Sequence, residues 1–306
     1  MNNTLLLGNG INLTLYSDAP DWAKLYKEDK KFDIRNYTFL YEACLLNTKE
    51  SDDDFKQRIA DEIKEKVRID KIKPSVNDID RIGELLKKHD VSNLITTNVD
   101  TCLESLLSIR NGFYTEDSKW STERVYSIRR NKHFRKDDYS INMWKMHGDV
   151  ENVKTISLGY DQYCGSLSKI EAYIKGGYTG KEVKNTISMK EKCKDNSLFD
   201  DYSWIELFFK TNVYIACFGM DFSEIDIWWI LNKRKRFIKE GIPVKNNIVF
   251  LYSKYDNGDN ETDIKKKEVK ILDFSEKRNM LETFGVDCRE IEAGDGIISS
   301  IFQQIL

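Results

Sequence analysis

Residues 5–12 read LLLGNGIN, three leucines followed at once by a glycine-asparagine-glycine turn. A short apolar run of this kind is the pattern of a strand buried on both faces, and the glycines let the backbone turn sharply and approach a neighbour closely. Together they form the usual opening of a nucleotide-binding α/β unit. Working outward, the same grammar recurs. Val91 to Thr97 reads as a second parallel strand ending in Thr96-Thr97-Asn98, and the helical spacing of Leu103, Leu106 and Leu107 follows it. Ile141 to Met146 is a third strand, ending in His147-Gly148-Asp149. Val213 to Phe218 is a fourth, ending in Gly219 before an amphipathic helix that carries Ile225, Trp228, Trp229 and Leu231. Asn247 to Tyr252 and Val286 to Ile291 supply two more strands, and a last helix is expected from about Ile297 to Leu306. Residues 53–67 and 79–88 have apolar positions at helical spacing.

Strand, polar or glycine turn, then helix, repeated, predicts an α/β fold with a doubly wound, mostly parallel, Rossmann-like sheet. Such sheets bind ligands outside the carboxyl ends of their strands. Gly8, Asn98, His147 and Gly219 all fall at those ends, so four separated segments should meet at one crevice. Residues 165–210 break the rhythm: they are polar, lysine-rich and mostly helical, and read as an inserted helical module within a single domain spanning 1–306.

Composition narrows the classes. Hydrophobic residues at 40% and charged residues at 32% fit an ordinary soluble domain, and three prolines leave no linker-like tract. The apolar run at Leu5–Leu7 is too short for a signal peptide, and nothing approaches a membrane span, so a cytoplasmic location is expected. The six cysteines (Cys44, Cys102, Cys164, Cys193, Cys217, Cys288) are scattered without a C-x-x-C pair, which suggests neither a zinc ribbon nor a disulfide framework. A net charge of −3 gives no overall attraction to nucleic acid. The basic runs at 129–136 (RRNKHFRK) and 233–236 (KRKR) could touch phosphates but read better as solvated faces, so direct nucleic-acid binding is not expected.

Each candidate site residue has an ordinary alternative. The turn at Gly8–Asn12 could cradle a pyrophosphate with its backbone N–H groups, or could simply be a turn. Leu13 replaces the third glycine of the dinucleotide fingerprint, and no phosphate-loop Lys-Ser/Thr follows, so ATPase chemistry is poorly supported. Asn98 could hold a ribose hydroxyl or a water, with Asp100 accepting from a carboxamide NH2, or the asparagine could cap the next helix. His147, one of three histidines, could take a proton near pH 7 as a neutral imidazole, or could be structural, as expected of His89 and His133.

The ordered set GNGIN (8–12), TTNVD (96–100), KMHGD (145–149) and FGMDFSEIDIWW (218–229), with LGYDQY at 158–163, resembles the sirtuin-like NAD-consuming domains of bacterial antiphage systems. The matches run from residue 5 to about 230, and the turn Gly294-Asp295-Gly296 resembles the segment that closes on adenine in that fold. The resemblance implies Asn98 and His147 as the catalytic pair, with Gly8, Asn9, Gly10, Asn12, Thr97, Asp100, Gly219, Ser223 and Asp295 around NAD. Deacetylase-type sirtuins usually carry a G-I-P-x-F-R segment and two zinc-binding C-x-x-C pairs. Both are absent here, so no zinc is expected and water becomes the favoured acceptor.

The expected function is therefore an NAD glycohydrolase that releases nicotinamide and ADP-ribose and depletes NAD in abortive infection. The alternatives are a non-catalytic NAD-binding sensor or scaffold, and an NAD-dependent protein deacylase. The family also implies control by assembly: a homo-oligomer, with a separate partner such as a HerA-type ATPase. Trp228 and Trp229 could lie at such an interface, although core packing on an amphipathic helix is the simpler expectation.

Overall fold

In the computed structural model, which describes residues 2–20, 22–26, 36–116, 125–180, 186–253 and 264–306, eight strands form one sheet. They are β1 (Asn3–Leu7), β2 (Val91–Thr96), β3 (Tyr114–Glu116), β4 (Asn131–Lys136), β5 (Tyr139–Lys145), β6 (Asn212–Ala216), β7 (Ile248–Ser253) and β8 (Asp287–Ile291). Their order is β3-β4-β5-β2-β1-β6-β7-β8. From β1 the chain passes to β2, runs out to the edge strand β3 and returns through β4 to β5 beside β2, then crosses to the other side of β1 and winds outward through β6, β7 and β8; all pairings are parallel except those of β4, which is antiparallel to β3 and β5. The order thus reverses between β1 and β6, the position where doubly wound sheets open a ligand crevice.

Strand alternation explains the two cores. Leu5 and Leu7 of β1 enter one apolar cluster while Leu6 enters the other, because successive side chains point to opposite faces. The neighbours repeat the split: Tyr214 and Ala216 against Val213 and Ile215 on β6, and Val249 and Leu251 against Ile248 and Phe250 on β7. This double burial is why the parallel strands read as continuous apolar runs rather than alternating ones.

On the first face lie the helices α1 (Gly10–Leu15), α2 (Trp22–Leu25), α3 (Tyr37–Asn47), α4 (Asp52–Lys66), α5 (Ile82–Lys88) and α6 (Cys102–Ser105). Helix α4 shows why such segments are helical. Ser51 caps it by accepting from the Asp54 N–H, Asp52–Asp54 sit in the first turn, Lys64 and Lys66 sit in the last, and Phe55, Ile59 and Ile63 form the buried stripe. The second face is covered by α7 (Tyr160–Lys175), α8 (Met189–Lys194), α9 (Trp204–Lys210), α10 (Ile225–Lys239) and α11 (Ile264–Thr283). Helix α12 (Ile297–Gln304) closes the first face through Ile298, Ile301 and Phe302.

The segment expected as an inserted module contributes directly to the second core. Tyr173, Met189, Cys193, Trp204, Ile205 and Phe208 pack in one cluster with sheet residues Leu6, Ile95 and Ile215. Its polarity has an internal outlet, since the buried Lys192 pairs with the fully buried Glu206, which also accepts from the Tyr173 hydroxyl. Trp228 is buried in the same cluster, and Trp229 packs partly buried against it.

The basic runs are structural in part. Residues 131–136 form β4, antiparallel to β5, with Phe134 in the core and Arg135 and Lys136 outward near the sheet edge. Arg234 of the second run is buried and donates to the Asn246 carbonyl. His89 and His133 also make structural contacts: each ring's Nδ1 is hydrogen-bonded, to the Ile305 carbonyl at 2.9 Å and to Asn142 Oδ1 at 2.7 Å respectively. No described helix is long and apolar enough to cross a membrane.

Candidate active site

The carboxyl ends of six parallel strands open onto one cavity of about 640 Å³. Its wall takes Asn9 and Gly10 from the turn after β1, Thr97 and Asn98 after β2, and His147 after β5. It also takes Gly219 and Ser223 after β6, Ser253 at the end of β7, and Asp295 after β8. Gly8, Asn12 and Asp100, expected at the same site, lie behind this wall rather than on it.

The glycine turn is shaped by the loop after β6. A Cβ on Gly10 would stand 2.6 Å from the Cys217 carbonyl oxygen, and one on Gly8 would stand 2.2 Å from the Phe218 ring. The Gly10 N–H donates to that same Cys217 carbonyl at 2.8 Å. Cys217 and Met220 both hold left-handed backbone conformations, at φ of 52° and 47°, which non-glycine residues adopt sparingly and which cluster at working sites. The two loops that flank the switch point are thus locked edge to edge.

Asn98 is buried, and its Nδ2 donates to the Gly8 carbonyl at 3.2 Å. It therefore ties β2 to the glycine turn instead of capping a helix. The first N–H of α6 is satisfied by Asp100, whose Oδ1 accepts from the Cys102 N–H at 2.8 Å, while the N-cap Thr101 makes no side-chain bond. The other Asp100 oxygen accepts from Asn12 Nδ2 at 2.7 Å, and that amide also donates to Asn9 Oδ1. Asp100 thus accepts from the Asn12 carboxamide and braces α1 from behind the cavity wall. Burial raises its carboxyl above the ordinary carboxylate range, against the opposing pull of Lys145.

His147 is held from both sides. Its Nε2 lies 2.8 Å from Asp226 Oδ2, and its Nδ1 lies 3.7 Å from Glu224 Oε2. The Tyr163 ring meets the imidazole edge-on at 5.4 Å, and the Tyr163 hydroxyl donates to Glu224 Oε2 at 3.4 Å. Gly148 is required immediately after it: φ is 105°, and a Cβ there would stand 2.2 Å from the Thr155 carbonyl oxygen. Burial alone would push the imidazole down, but Asp226 and then Glu224 outweigh it and hold His147 at about 9. The two acids thus favour the charged ring over the neutral imidazole, working against the burial. Burial pushes Glu224 up to about 7, opposed by His147 and reinforced by Asp226 and Asp221.

Glu224 and Asp226 are the site residues that sequence reasoning missed. Both lie inside the quoted stretch FGMDFSEIDIWW, which reads as the entry of an amphipathic helix. Lys73 was also missed; it is the one lysine or arginine on the cavity wall among the described residues, and its Nζ lies 3.5 Å from the Leu13 carbonyl. His147, Glu224 and Asp226 also form the one grouping among the described residues whose donor atoms are close enough for a metal. The 2.8 Å bond between His147 and Asp226 already occupies the facing atoms of both, so the group as built is a hydrogen-bonded cluster. No family model matches this chain, and no curated protein matches it in sequence.

Proposed function

We propose that the cavity binds NAD and cleaves its nicotinamide–ribose bond, releasing nicotinamide and ADP-ribose, as a sirtuin-like NAD glycohydrolase. The observation that carries this reading is the meeting of Asn98 and His147, from the ends of two separate strands, on one wall beside the glycine turn at the sheet's switch point. The cavity volume falls within the range of about 300 to 1,000 Å³ common for small-molecule and cofactor sites. Lys73, near the same turn, offers a cation for the pyrophosphate.

In this reaction the C1′–N bond breaks and its electron pair leaves with nicotinamide, generating an oxocarbenium-like ribose. Water then adds at C1′ and gives up a proton. Asn98 supplies an amide to orient that water, and the His147 cluster manages the proton. Water is the favoured acceptor because the six cysteines are widely scattered without a C-x-x-C pair, so the zinc module associated with acyl-lysine binding has no counterpart in the sequence.

The resemblance to antiphage NAD-consuming domains extends the proposal to cellular NAD depletion in abortive infection. It includes a cytoplasmic homo-oligomer and control by a partner such as a HerA-type ATPase. The test is nicotinamide release from NAD by the purified protein, alone and with co-purifying partners. Release by the native protein, lost in Asn98→Ala, is expected. NAD binding with no release in any assembly state would sink the hydrolase reading and leave the sensor.

A further inference from the structure

The turns that carry Asn98 and His147 share a buried lysine, Lys145, which lies off the cavity wall. We propose that Lys145 is a positioning residue, its ammonium clasping the backbone after Asn98 to the strand end that carries His147; this rests on reading the cavity as an NAD-cleaving site.

Lys145 is the last residue of β5, paired with Thr96 of β2. Its neighbours Met143 and Trp144 enter opposite cores, so the alternation of the strand turns Lys145 toward the face that holds α6. There its side chain is fully buried among four acceptors. Nζ lies 2.6 Å from the Asp100 carbonyl, 2.8 Å from Glu104 Oε1, 3.0 Å from Asp149 Oδ2 and 3.3 Å from the Val99 carbonyl. Two of these are backbone groups of the residues that follow Asn98. The Val99 carbonyl also accepts from the Val150 N–H at 2.8 Å. Asp149 fixes the far side, its Oδ1 accepting from the Glu151 N–H at 2.8 Å. One ammonium thus joins the turn that begins at Asn98 to the turn that follows His147.

Lys132 of β4 completes the cluster, 3.2 Å from Glu104 Oε1 and 3.4 Å from Asp149 Oδ2, so two cations balance two acids. A buried ionic group of this kind adds little net stability, because desolvation offsets most of its attraction, and apolar side chains of similar volume would fill the space as well. What apolar side chains lack is direction. The Asp100 carbonyl lies past the end of β2 and before α6, so neither sheet nor helix supplies its donor, and Lys145 does. Without that donor the buried peptide would turn to find another, and the swing would move Asn98 against His147. A displacement of about 1 Å at a reacting group can cost about 10² in rate.

The test compares two double variants of the full-length protein, each of which removes one cation and one acid from the cluster. Lys145→Met/Glu104→Gln deletes the clasp and leaves the Lys132–Asp149 pair, whereas Lys132→Met/Glu104→Gln leaves Lys145 on both carbonyls and on Asp149. The first should lose about 10²-fold in kcat for nicotinamide release with KM for NAD changed by less than about threefold, and the second should keep kcat within about threefold of native. Lys145→Gln/Glu104→Gln, whose amide keeps a donor, should fall between them, and it carries the comparison if the methionine variant does not fold. Backbone hydrogen exchange, measured without NAD, should quicken across residues 98–104 and 147–151 in the Lys145 variants and stay native in the Lys132 variant. Equal kcat values in the Lys145 and Lys132 variants, or exchange that quickens equally in both, would overturn the assignment. If the native protein releases no nicotinamide, the NAD-cleaving reading falls, and the exchange comparison alone decides whether Lys145 holds the two turns together.

Discussion

Asp226→Asn is expected to lower the pH at which His147 titrates toward neutrality. The held value of about 9, against 6.5 for a free imidazole, corresponds to about 3 kcal/mol in favour of the charged ring. That figure is what remains after burial has worked against the charge, so the two carboxylates together supply more. Asp226 makes the shorter contact, 2.8 Å against 3.7 Å, and its removal should cost at least half of the effect. The ring should therefore titrate about one to two pH units lower in the variant. The same linkage is readable as stability. A histidine whose folded pKa is raised contributes stability that is fully present below about pH 6.5 and lost as pH rises through about 9. Glu224, raised from 4.5 to about 7, acts in the same direction at lower pH, because the folded state holds its proton longer. Urea unfolding at about pH 6.5, 8 and 9.5 should thus show the native protein losing a few kcal/mol between the first and last condition, and the variant losing less. Equal losses in the two proteins, or an unmoved ring titration, would refute the account of how His147 is charged.

Three other substitutions test the frame around this cluster. Gly10→Ala drives a Cβ to within 2.6 Å of the Cys217 carbonyl, backbone against backbone, and should cost about 1 to 3 kcal/mol in a chemical melt while weakening NAD binding measured by calorimetry. Asp100→Ala leaves the Asn12 amide and the Cys102 N–H without their acceptor and should lower stability by about 1 to 3 kcal/mol. If Asp100 instead met the nicotinamide carboxamide, its loss would weaken NAD binding at unchanged stability. Lys192→Met strands the fully buried Glu206 and should destabilise by about 3 to 5 kcal/mol, with much of the loss recovered in the double variant Lys192→Met/Glu206→Gln. A Lys192→Met protein with a native melting curve would show that the 165–210 segment adds little to the core.

The parallel sheet was legible because its physics is local. β1, β2, β6 and β7 are short, largely apolar runs, and their double burial leaves that mark in the sequence. β3 and β4 were not legible for the converse reason. Asn131–Lys136 presents Arg135 and Lys136 outward near an edge and anchors itself mainly by Phe134, so its charge outweighs its single strong apolar position. The 165–210 stretch misleads similarly. Lys192 and Glu206 read as solvated charges, and only the fold, by bringing them together across 14 residues, converts them into a buried pair.

The site divides along the same line. A residue that stands directly at a strand's carboxyl end can be placed from sequence, because strand direction fixes where that end points; Asn98 and His147 are of this kind. What their side chains do there depends on partners the chain supplies from elsewhere. Asp226 lies 79 residues from His147, and Asp100 reaches Asn12 across 88. The pattern GNGIN therefore marks the crevice without revealing that Asn12 braces it from behind, and KMHGD marks a histidine without revealing its charge. Charge is the property on which the chemistry turns. It is set by two acids, Glu224 and Asp226, whose surrounding sequence, EIDIWW, gives the appearance of an ordinary helix start. A histidine at a strand end is consequently a statement about position, and its role as acid, base or fixed cation is decided by the loop that packs against it.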